Sequence, residues 1–302
     1  MTMSRINCVI ATGPSGKITA EHVLSASEGG QGSRLDWLEA GLVAAELDAS
    51  LHDVGFGGLP DALGRLSLDA AIMDGPAHRA GAVAALLGCK NPIRVARRVM
   101  ERTPHVLLVG DGARHFASAE GFPDEGPLLS DYAQARYNAY LRGEIDLEGT
   151  GDQHTDGGDT VGCIVMDTDY NLCCGTSTSG LAFKMPGRVG DSPIIGGGLY
   201  VEHGAGSAVC LGMGEQMMQV SMAMRTVMKL GMGMSPQEAV MSSIRDMIRL
   251  RPSCLTTTCL VIAMDARGVT SGARTKDHED FHFWQGTPQD GVVKVTAAIV
   301  TT

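Results

Sequence analysis

The sequence predicts an α/β fold in which stacked β-sheets are covered by layers of helices. Strand-like apolar segments stand near both ends of the chain, and the helical segments fall into two groups instead of following each strand in turn. This grouping favours stacked sheets over a βαβ repeat. The chain also has 40 glycines, 17 methionines and only 4% aromatic residues, which favours closely packed layers joined by tight turns.

The first half of the chain mixes strands and helices. Leu35, Leu38 and Leu42 recur at helical spacing, and Pro92 stands just inside a helix start that is followed by basic residues, as helix-end preferences favour. We predict strands over 5–11, 67–75 and 105–110, and helices over 34–50, 91–103, 111–121 and 129–143.

The second half begins with strands, continues with two helices and ends with strands. Ser235 is suited to cap a helix, because Pro236 takes the first helical position and Glu238 stands three residues after the cap. We predict strands over 160–167, 171–177, 192–201, 207–211, 256–265 and 291–300, and helices over 214–231 and 235–250.

Composition excludes several classes of protein. The 302 residues are enough for one large domain, 1–302, with a sizeable core. No apolar run approaches 18 residues and the N-terminus lacks the shape of a signal peptide, so we expect a cytoplasmic protein with no membrane partner. The net charge of −10 argues against a surface that binds nucleic acid. The eight cysteines include no C-x-x-C pair, and we expect neither metal nor cofactor.

Two familiar sequence signatures are matched incompletely or in the wrong structural context, and a third is absent. "GPSGKIT" has Ala11 where a phosphate loop needs its first glycine, and Ile18 where it needs a hydroxyl. "HEDFH", from His278 to His282, matches a zinc-protease motif, but "FHFW" predicts a short strand and that motif needs a helix. No G-x-S-x-G elbow is present.

Four polar segments in the second half indicate a functional site only when they are considered together. They are Thr160 at a strand start, "GTSTSG" at 175–180, "GRVGDSP" at 187–193 and "LGMGE" at 211–215. Taken singly, each is typical of a structural role: a strand threonine, a turn, or a surface ion pair worth less than ~1 kcal/mol. Their order and spacing together favour a functional site.

These segments resemble the glycosylasparaginase (aspartylglucosaminidase) branch of the N-terminal-nucleophile (Ntn) hydrolases, which is related to plant-type asparaginases and isoaspartyl peptidases. Similar blocks run along nearly the whole chain and include "SLDAAIMDG", "NPIRVARRVMERTPHVLLVGDGARHFA", "DTVG" and "KMPGRVGDSPIIGGGLY". The resemblance implies a four-layer αββα sandwich of two mainly antiparallel sheets. It also implies hydrolysis of a side-chain amide of L-aspartate through a covalent acyl-enzyme.

The resemblance further implies a precursor that cleaves itself between Asp159 and Thr160, giving chains 1–159 and 160–302. Residues 143–159 are acidic and rich in glycine, as a flexible linker would be. Reaction chemistry supports this cleavage independently of the resemblance, because a threonine hydroxyl is a poor nucleophile and a freed α-amine supplies the base it needs. Such an amine titrates near pH ~8, so it is readily neutral.

Matching motifs assign the other roles by resemblance. Thr178 would hold the nucleophile. Arg188 would bind the substrate α-carboxylate through its guanidinium, and Asp191 would pair with the α-ammonium. Leu211 and Gly212 would lie at the oxyanion hole, and Gly214 would let the backbone approach the substrate amine. The family implies a homo-oligomer, a dimer of cleaved units.

The chain departs from the family pattern at four places. Gly13 stands where a tryptophan is usual, Asp53 where a serine is usual, and Gly158 where a histidine is usual. Leu211 replaces a threonine of the oxyanion segment, and losing one such donor typically lowers the rate ~10²–10³-fold. The first two changes leave open an isoaspartyl peptidase or asparaginase with an altered leaving-group pocket. Leu211 leaves open a slow or inactive homologue that binds an amino-acid-like ligand.

Overall fold

The computed structural model describes residues 5–145, 160–276 and 281–300, which form two β-sheets and eight α-helices. The strands, in chain order, are β1 Ile6–Thr12, β2 Leu68–Asp74, β3 Arg79–Leu86, β4 Leu107–Val109, β5 Val161–Asp167, β6 Leu172–Thr178, β7 Leu199–Glu202, β8 Gly206–Gly212, β9 Cys259–Asp265, β10 Thr270–Arg274, β11 His282–Thr287, β12 Gly291–Thr296 and β13 Ala298–Ile299. The helices are α1 Gly16–Ser27, α2 Arg34–Leu47, α3 Pro92–Arg102, α4 Gly110–Ala119, α5 Asp131–Leu141, α6 Gly214–Val220, α7 Met222–Gly231 and α8 Pro236–Leu250.

The strands form one sheet of eight and one of five. The larger has the order β12-β11-β1-β5-β6-β2-β3-β4, and the smaller β13-β10-β9-β8-β7. Within the described residues, β3–β4 and β10–β13 are the parallel pairs and the other neighbours are antiparallel. The prediction of two mainly antiparallel sheets is confirmed.

Three clusters of buried apolar side chains separate four layers. One lies between helices α1 to α3 and the larger sheet, with Trp37 and Ile93 among its members. A second lies between the two sheets and includes Ile164 and Val209. A third packs helices α7 and α8 on the smaller sheet through residues such as Ile244. The order helix, sheet, sheet, helix is the predicted αββα sandwich.

Three predicted elements in the second half were wrong in extent. The single strand expected over 291–300 is two strands, β12 in the larger sheet and β13 in the smaller. The strand expected over 192–201 is only β7, because local hydrogen bonds from Ile194 N to the Asp191 carbonyl and from Gly197 N to the Ile194 carbonyl fold 191–197 into turns. The single helix expected over 214–231 is broken at Ser221, whose φ is +50°. Amides in the first turn of α7 then donate to the carbonyls of Gly196 and Gly197, so the break docks α7 on this turn segment.

Glu46 at the end of α2 supports the strand that leads into the polar "GTSTSG" segment. It is fully buried and accepts hydrogen bonds from Ile93 N (3.0 Å) and Ser177 Oγ (2.7 Å). Burial raises the pKa of Glu46 to about 8, against the opposing effect of these hydrogen bonds. One carboxyl group therefore ties α2, the start of α3 and the end of β6 together.

The two sheets approach each other closely at Gly162. A Cβ atom at this position would lie 2.8 Å from Val209 Cγ2 and 2.9 Å from Val209 Cβ, on the facing sheet. These distances are shorter than real contacts, so glycine sets the sheet separation directly beside Thr160.

We expect Gly162→Ala to lower the free energy of unfolding by about 1–3 kcal/mol, because overpacking forces the sheets apart. Chemical denaturation measures this. The matched control is Gly112→Ala in α4, where a Cβ meets nothing within 4 Å and alanine favours the helix. Equal stability of the two variants would contradict the close approach.

Candidate active site

The polar segments singled out in the sequence meet at one end of the sandwich. In the larger sheet β1 ends there, β5 starts there and β6 ends there, as their antiparallel registers require. In the smaller sheet β8 ends opposite the start of β9, with Gly212 facing Cys259. Residues far apart in the sequence therefore share one edge.

Thr160 lies immediately before β5 and is 5% exposed. Its Oγ1 is 3.0 Å from Ser192 Oγ. Its carbonyl accepts a hydrogen bond from Thr12 Oγ1 (3.0 Å), and the same Thr12 oxygen accepts one from Gly162 N (2.8 Å). Both the side chain and the peptide of Thr160 are thus held by groups from other parts of the chain.

Thr178 and Asp53 also meet at this edge. Thr178 Oγ1 accepts a hydrogen bond from Gly180 N (2.9 Å) and is 3.5 Å from the Asp53 carbonyl. Ser179 donates to that carbonyl through both its amide and its hydroxyl, each at 3.0 Å. The loop that carries Asp53 is therefore fastened to the end of β6.

Arg188 forms a bidentate ion pair with Glu215. The Nε and Nη2 atoms of Arg188 donate to the two carboxylate oxygens, each at 2.8 Å. Burial would raise the pKa of Glu215, but these bonds from Arg188 bring it below its usual value. The Glu215 side chain is 43% exposed, so solvent reaches the pair from that side.

Asp191 carries an unsatisfied buried carboxyl group. The residue is 3% exposed, and Oδ2 has no hydrogen-bond partner among the described residues. Burial raises the pKa of Asp191 from its ordinary 3.8 to about 7; Arg188 opposes this shift and Glu215 adds to it. Gly214 packs tightly on this group, because a Cβ there would lie 2.7 Å from Asp191 Oδ1.

Leu211 and Gly13 form a contact between the two sheets. Leu211 is fully buried in the cluster between the sheets, and its Cδ1 would lie 3.0 Å from a Cβ at residue 13. Gly13 also has a φ of +67°, which disfavours any side chain. Gly212 follows with a φ of +119° and no room for a Cβ beside the Thr258 carbonyl.

The structure thus brings together every predicted site residue except Asp159, which lies outside the described residues, as does 146–159 of the predicted linker. The contacts run from Thr160 to Ser192, whose neighbour Asp191 packs against Gly214. Glu215, the residue after Gly214, forms the ion pair with Arg188. Arg188 lies near Gly180, whose amide donates to Thr178 Oγ1.

Comparison with known proteins is decisive for the family. Residues 17–293, well over half of the chain, match the family described as Asparaginase. The chain belongs to the asparaginase family. The N(4)-(β-N-acetylglucosaminyl)-L-asparaginase of Elizabethkingia miricola is 40% identical over 224 residues, which cover 72% of this chain but only 63% of that protein. The protein of the same name from Rattus norvegicus is 38% identical, over 69% of this chain and 68% of its own. The plant-type L-asparaginase of Pyrococcus abyssi is 35% identical, over 87% of this chain and 88% of its own.

Sequence reasoning missed three residues in this asparaginase-family site. Ser192 stands within the motif "GRVGDSP" and Glu215 within "LGMGE", so the sequence marked their neighbourhoods. It assigned no role to either residue. Thr12 gave no signal, because its bond to Thr160 spans 148 positions of the sequence. All three act through contacts between distant segments.

The motifs set aside have structural roles where they are described. Lys17 of "GPSGKIT" lies in α1, with its Nζ 5.8 Å from the centre of the Trp284 ring. His282 of "HEDFH" lies in β11, as the strand prediction required, whereas residues 278–280 are outside the described part. Among the described residues, no group of three or more His, Cys, Asp or Glu side chains is placed to hold a metal ion, and no helix is long and apolar enough to cross a bilayer.

We expect Asp191→Asn to change the pH dependence of stability. Because the pKa of Asp191 is raised in the folded state, this carboxyl favours folding when protonated, and that contribution is lost as the pH rises from about 4 to about 7. The variant should therefore gain stability relative to wild type across this window, by up to about 4 kcal/mol.

Denaturation from pH 4 to pH 8 measures the difference between the two proteins. Asp111→Asn, at an exposed position at the start of α4, is the control and should show a nearly constant difference. A constant difference for Asp191→Asn as well would contradict the buried, unsatisfied carboxyl.

Proposed function

We propose that this chain is a self-cleaving amidohydrolase that uses Thr160 as an N-terminal nucleophile on a side-chain amide of L-aspartate. The observation that carries the proposal is the position of Thr160. It is buried at the start of β5, with its hydroxyl held by Ser192, and Ser192 is next in sequence to an unsatisfied carboxyl group. A nucleophile and a site for a charged ligand are thus contiguous.

The reaction needs Thr160 to have a free α-amine, which cleavage of the Asp159–Thr160 bond would supply. Thr160 Oγ1 then attacks the amide carbonyl carbon while its proton passes to the α-amine. The amine gives that proton to the leaving nitrogen, the C–N bond breaks and an ester to Thr160 remains. Water hydrolyses the ester, with the amine taking one proton from the water and returning it to Oγ1.

Recognition of an amino acid head group follows from two charged side chains. A buried carboxyl without a partner is costly, and an α-ammonium would supply Asp191 with the missing charge and donors. Arg188 presents a fork suited to a carboxylate, and Glu215 already occupies it in this structure. We infer that the substrate α-carboxylate shares or displaces the partly exposed Glu215.

The identity of the leaving group depends on Gly13 and Leu211. A Cβ at residue 13 would lie 3.0 Å from Leu211 Cδ1, so a larger residue at 13 requires the Leu211 side chain to shift. The two departures from the glycosylasparaginase pattern are therefore in contact with each other. This contact supports the second candidate, an asparaginase or isoaspartyl peptidase whose pocket is altered on the leaving-group side. Relatives named for both glycosylasparagine and asparagine hydrolysis are similar to this chain.

A slow or inactive homologue would keep the head-group site and lack turnover. Leu211 supports that reading, because its buried aliphatic side chain has no hydroxyl to donate to an oxyanion. Turnover by wild type decides between this reading and the two enzymatic ones.

Steady-state hydrolysis of N4-(β-N-acetylglucosaminyl)-L-asparagine, L-asparagine and an isoaspartyl dipeptide tests the proposal. We expect at least one to be cleaved, and its α-N-acetyl and α-carboxamide derivatives to react thirtyfold more slowly or worse. The reason is that removing one partner of a buried charge pair costs about 2–5 kcal/mol. The substrate with the highest kcat/KM identifies the leaving group.

Thr160→Ala should abolish this activity. Thr226→Ala is the matched control, because Thr226 is also buried but its hydroxyl donates to the Met222 carbonyl within α7, away from the candidate site. Equal rates on free and blocked substrates would contradict the head-group site, and activity in Thr160→Ala would contradict the nucleophile.

A further inference from the structure

Ser192 stands between the nucleophile and the carboxyl that recognises the substrate. Its hydroxyl is 3.0 Å from Thr160 Oγ1, its side chain is buried, and the preceding residue is Asp191. We propose that Ser192 is a catalytic residue that donates a hydrogen bond to Thr160 Oγ1 and fixes the direction in which that hydroxyl releases its proton. This inference rests on the proposed function and adds a residue to it.

The direction of the hydrogen bond follows from the chemistry. Thr160 must point its own proton at the α-amine that acts as base, so its oxygen can only accept from Ser192. A hydroxyl has one proton and two acceptor sites, and this arrangement uses the proton for catalysis and one acceptor site for positioning. As Oγ1 loses its proton and gains negative charge, the bond from Ser192 becomes stronger.

The backbone around Ser192 is held firmly enough for this role. The Ser192 carbonyl accepts a hydrogen bond from Thr176 Oγ1 on β6 (2.6 Å), and Ile194 N donates to the Asp191 carbonyl (2.8 Å). Gly198 packs so closely that a Cβ there would lie 2.8 Å from Ser192 Cα. The backbone that carries the serine hydroxyl is therefore held by its own turn, by Gly198 directly after that turn, and by strand β6.

The same placement couples recognition to chemistry. Asp191 and Ser192 are adjacent, so an ammonium bound to the Asp191 carboxyl and the hydroxyl that orients Thr160 share one rigid stretch of backbone. Loss of the Ser192 hydroxyl leaves Asp191, Arg188 and their mutual geometry in place. Substrate binding should then survive while the chemical step slows.

A purely structural role makes a different prediction. If the Ser192–Thr160 bond only stabilises the fold, its removal lowers stability modestly and leaves the rate per folded molecule unchanged. The kinetic separation of kcat from KM distinguishes the two roles, together with the rate at which the precursor cleaves itself, because self-cleavage uses the same Thr160 oxygen.

The test compares Ser192→Ala with Ser207→Ala. Ser207 is also buried, but its hydroxyl donates to the Tyr200 carbonyl at the opposite end of β8 from Gly212. For Ser192→Ala we expect self-cleavage and kcat to fall about 10- to 100-fold, as loss of a hydrogen bond to a developing charge implies, with KM nearly unchanged. Ser207→Ala should match wild type in both rates, with folding of each variant checked by its thermal transition.

Wild-type rates in Ser192→Ala, or a rise in KM with kcat unchanged, would overturn the role of Ser192 while leaving the proposed function standing. A wild-type protein that neither cleaves itself nor hydrolyses any of the three substrates would overturn the proposed function and this inference with it.

Discussion

The hydroxyl of Thr12 is the contact on which the geometry of the site depends. It bridges the carbonyl of residue 160 and the amide of residue 162, and so fastens the start of β5 to the end of β1. Chain ends fray unless they are tied down. If the bond before Thr160 is cut, the new terminus stays in place because Thr12 and the β1–β5 ladder already hold it from the other chain. The contact between Gly162 and Val209 then sets how far this terminus lies from the smaller sheet.

Charges buried around this terminus work against stability. Asp191 Oδ2 has no hydrogen-bond partner within the described part of the chain. Lys184 is buried with its Nζ 3.9 Å from Asp69 Oδ2, and burial lowers the pKa of the lysine and raises that of the aspartate. Lys184 Nζ also donates to the Ser67 and Ser179 carbonyls, which steadies the segment after β6. Buried ion pairs seldom add net stability. Buried charges at the edge of the sandwich where Thr160 also lies are typical of a site that gives up stability for function.

Much of the architecture could be predicted because it depends on local patterns. The capping box of Ser235 and Glu238 is present, and β5 starts at Val161, one residue after the start predicted from the change from a polar to an apolar segment. Helix α1 and strands β3 and β10 were not predicted. The sequence "RAGAVAAL" of β3 favours a helix by propensity, and only its pairing with β2 and β4 makes it a strand.

The candidate site likewise has residues that local sequence patterns indicate and residues that only the folded structure reveals. The family resemblance singled out Thr160, Thr178, Arg188 and Asp191, because each stands in a short block that matches a family motif. The partners that hold them could not be derived from spacing. Glu215 pairs with Arg188 across 27 positions and Ser192 contacts Thr160 across 32, and these separations acquire meaning only when the strands are arranged in sheets. The contact between Gly13 and Leu211, which links two separate departures from the family pattern, is likewise visible only in three dimensions.

The most direct test of the account is the covalent state of the purified protein. Intact mass and N-terminal sequencing should find two chains, 1–159 and 160–302, with threonine as the first residue of the second, while Thr160→Ala remains one chain of 302 residues. A wild-type protein that stays a single chain after long incubation at neutral pH would contradict the claim that Thr160 becomes an N-terminal nucleophile.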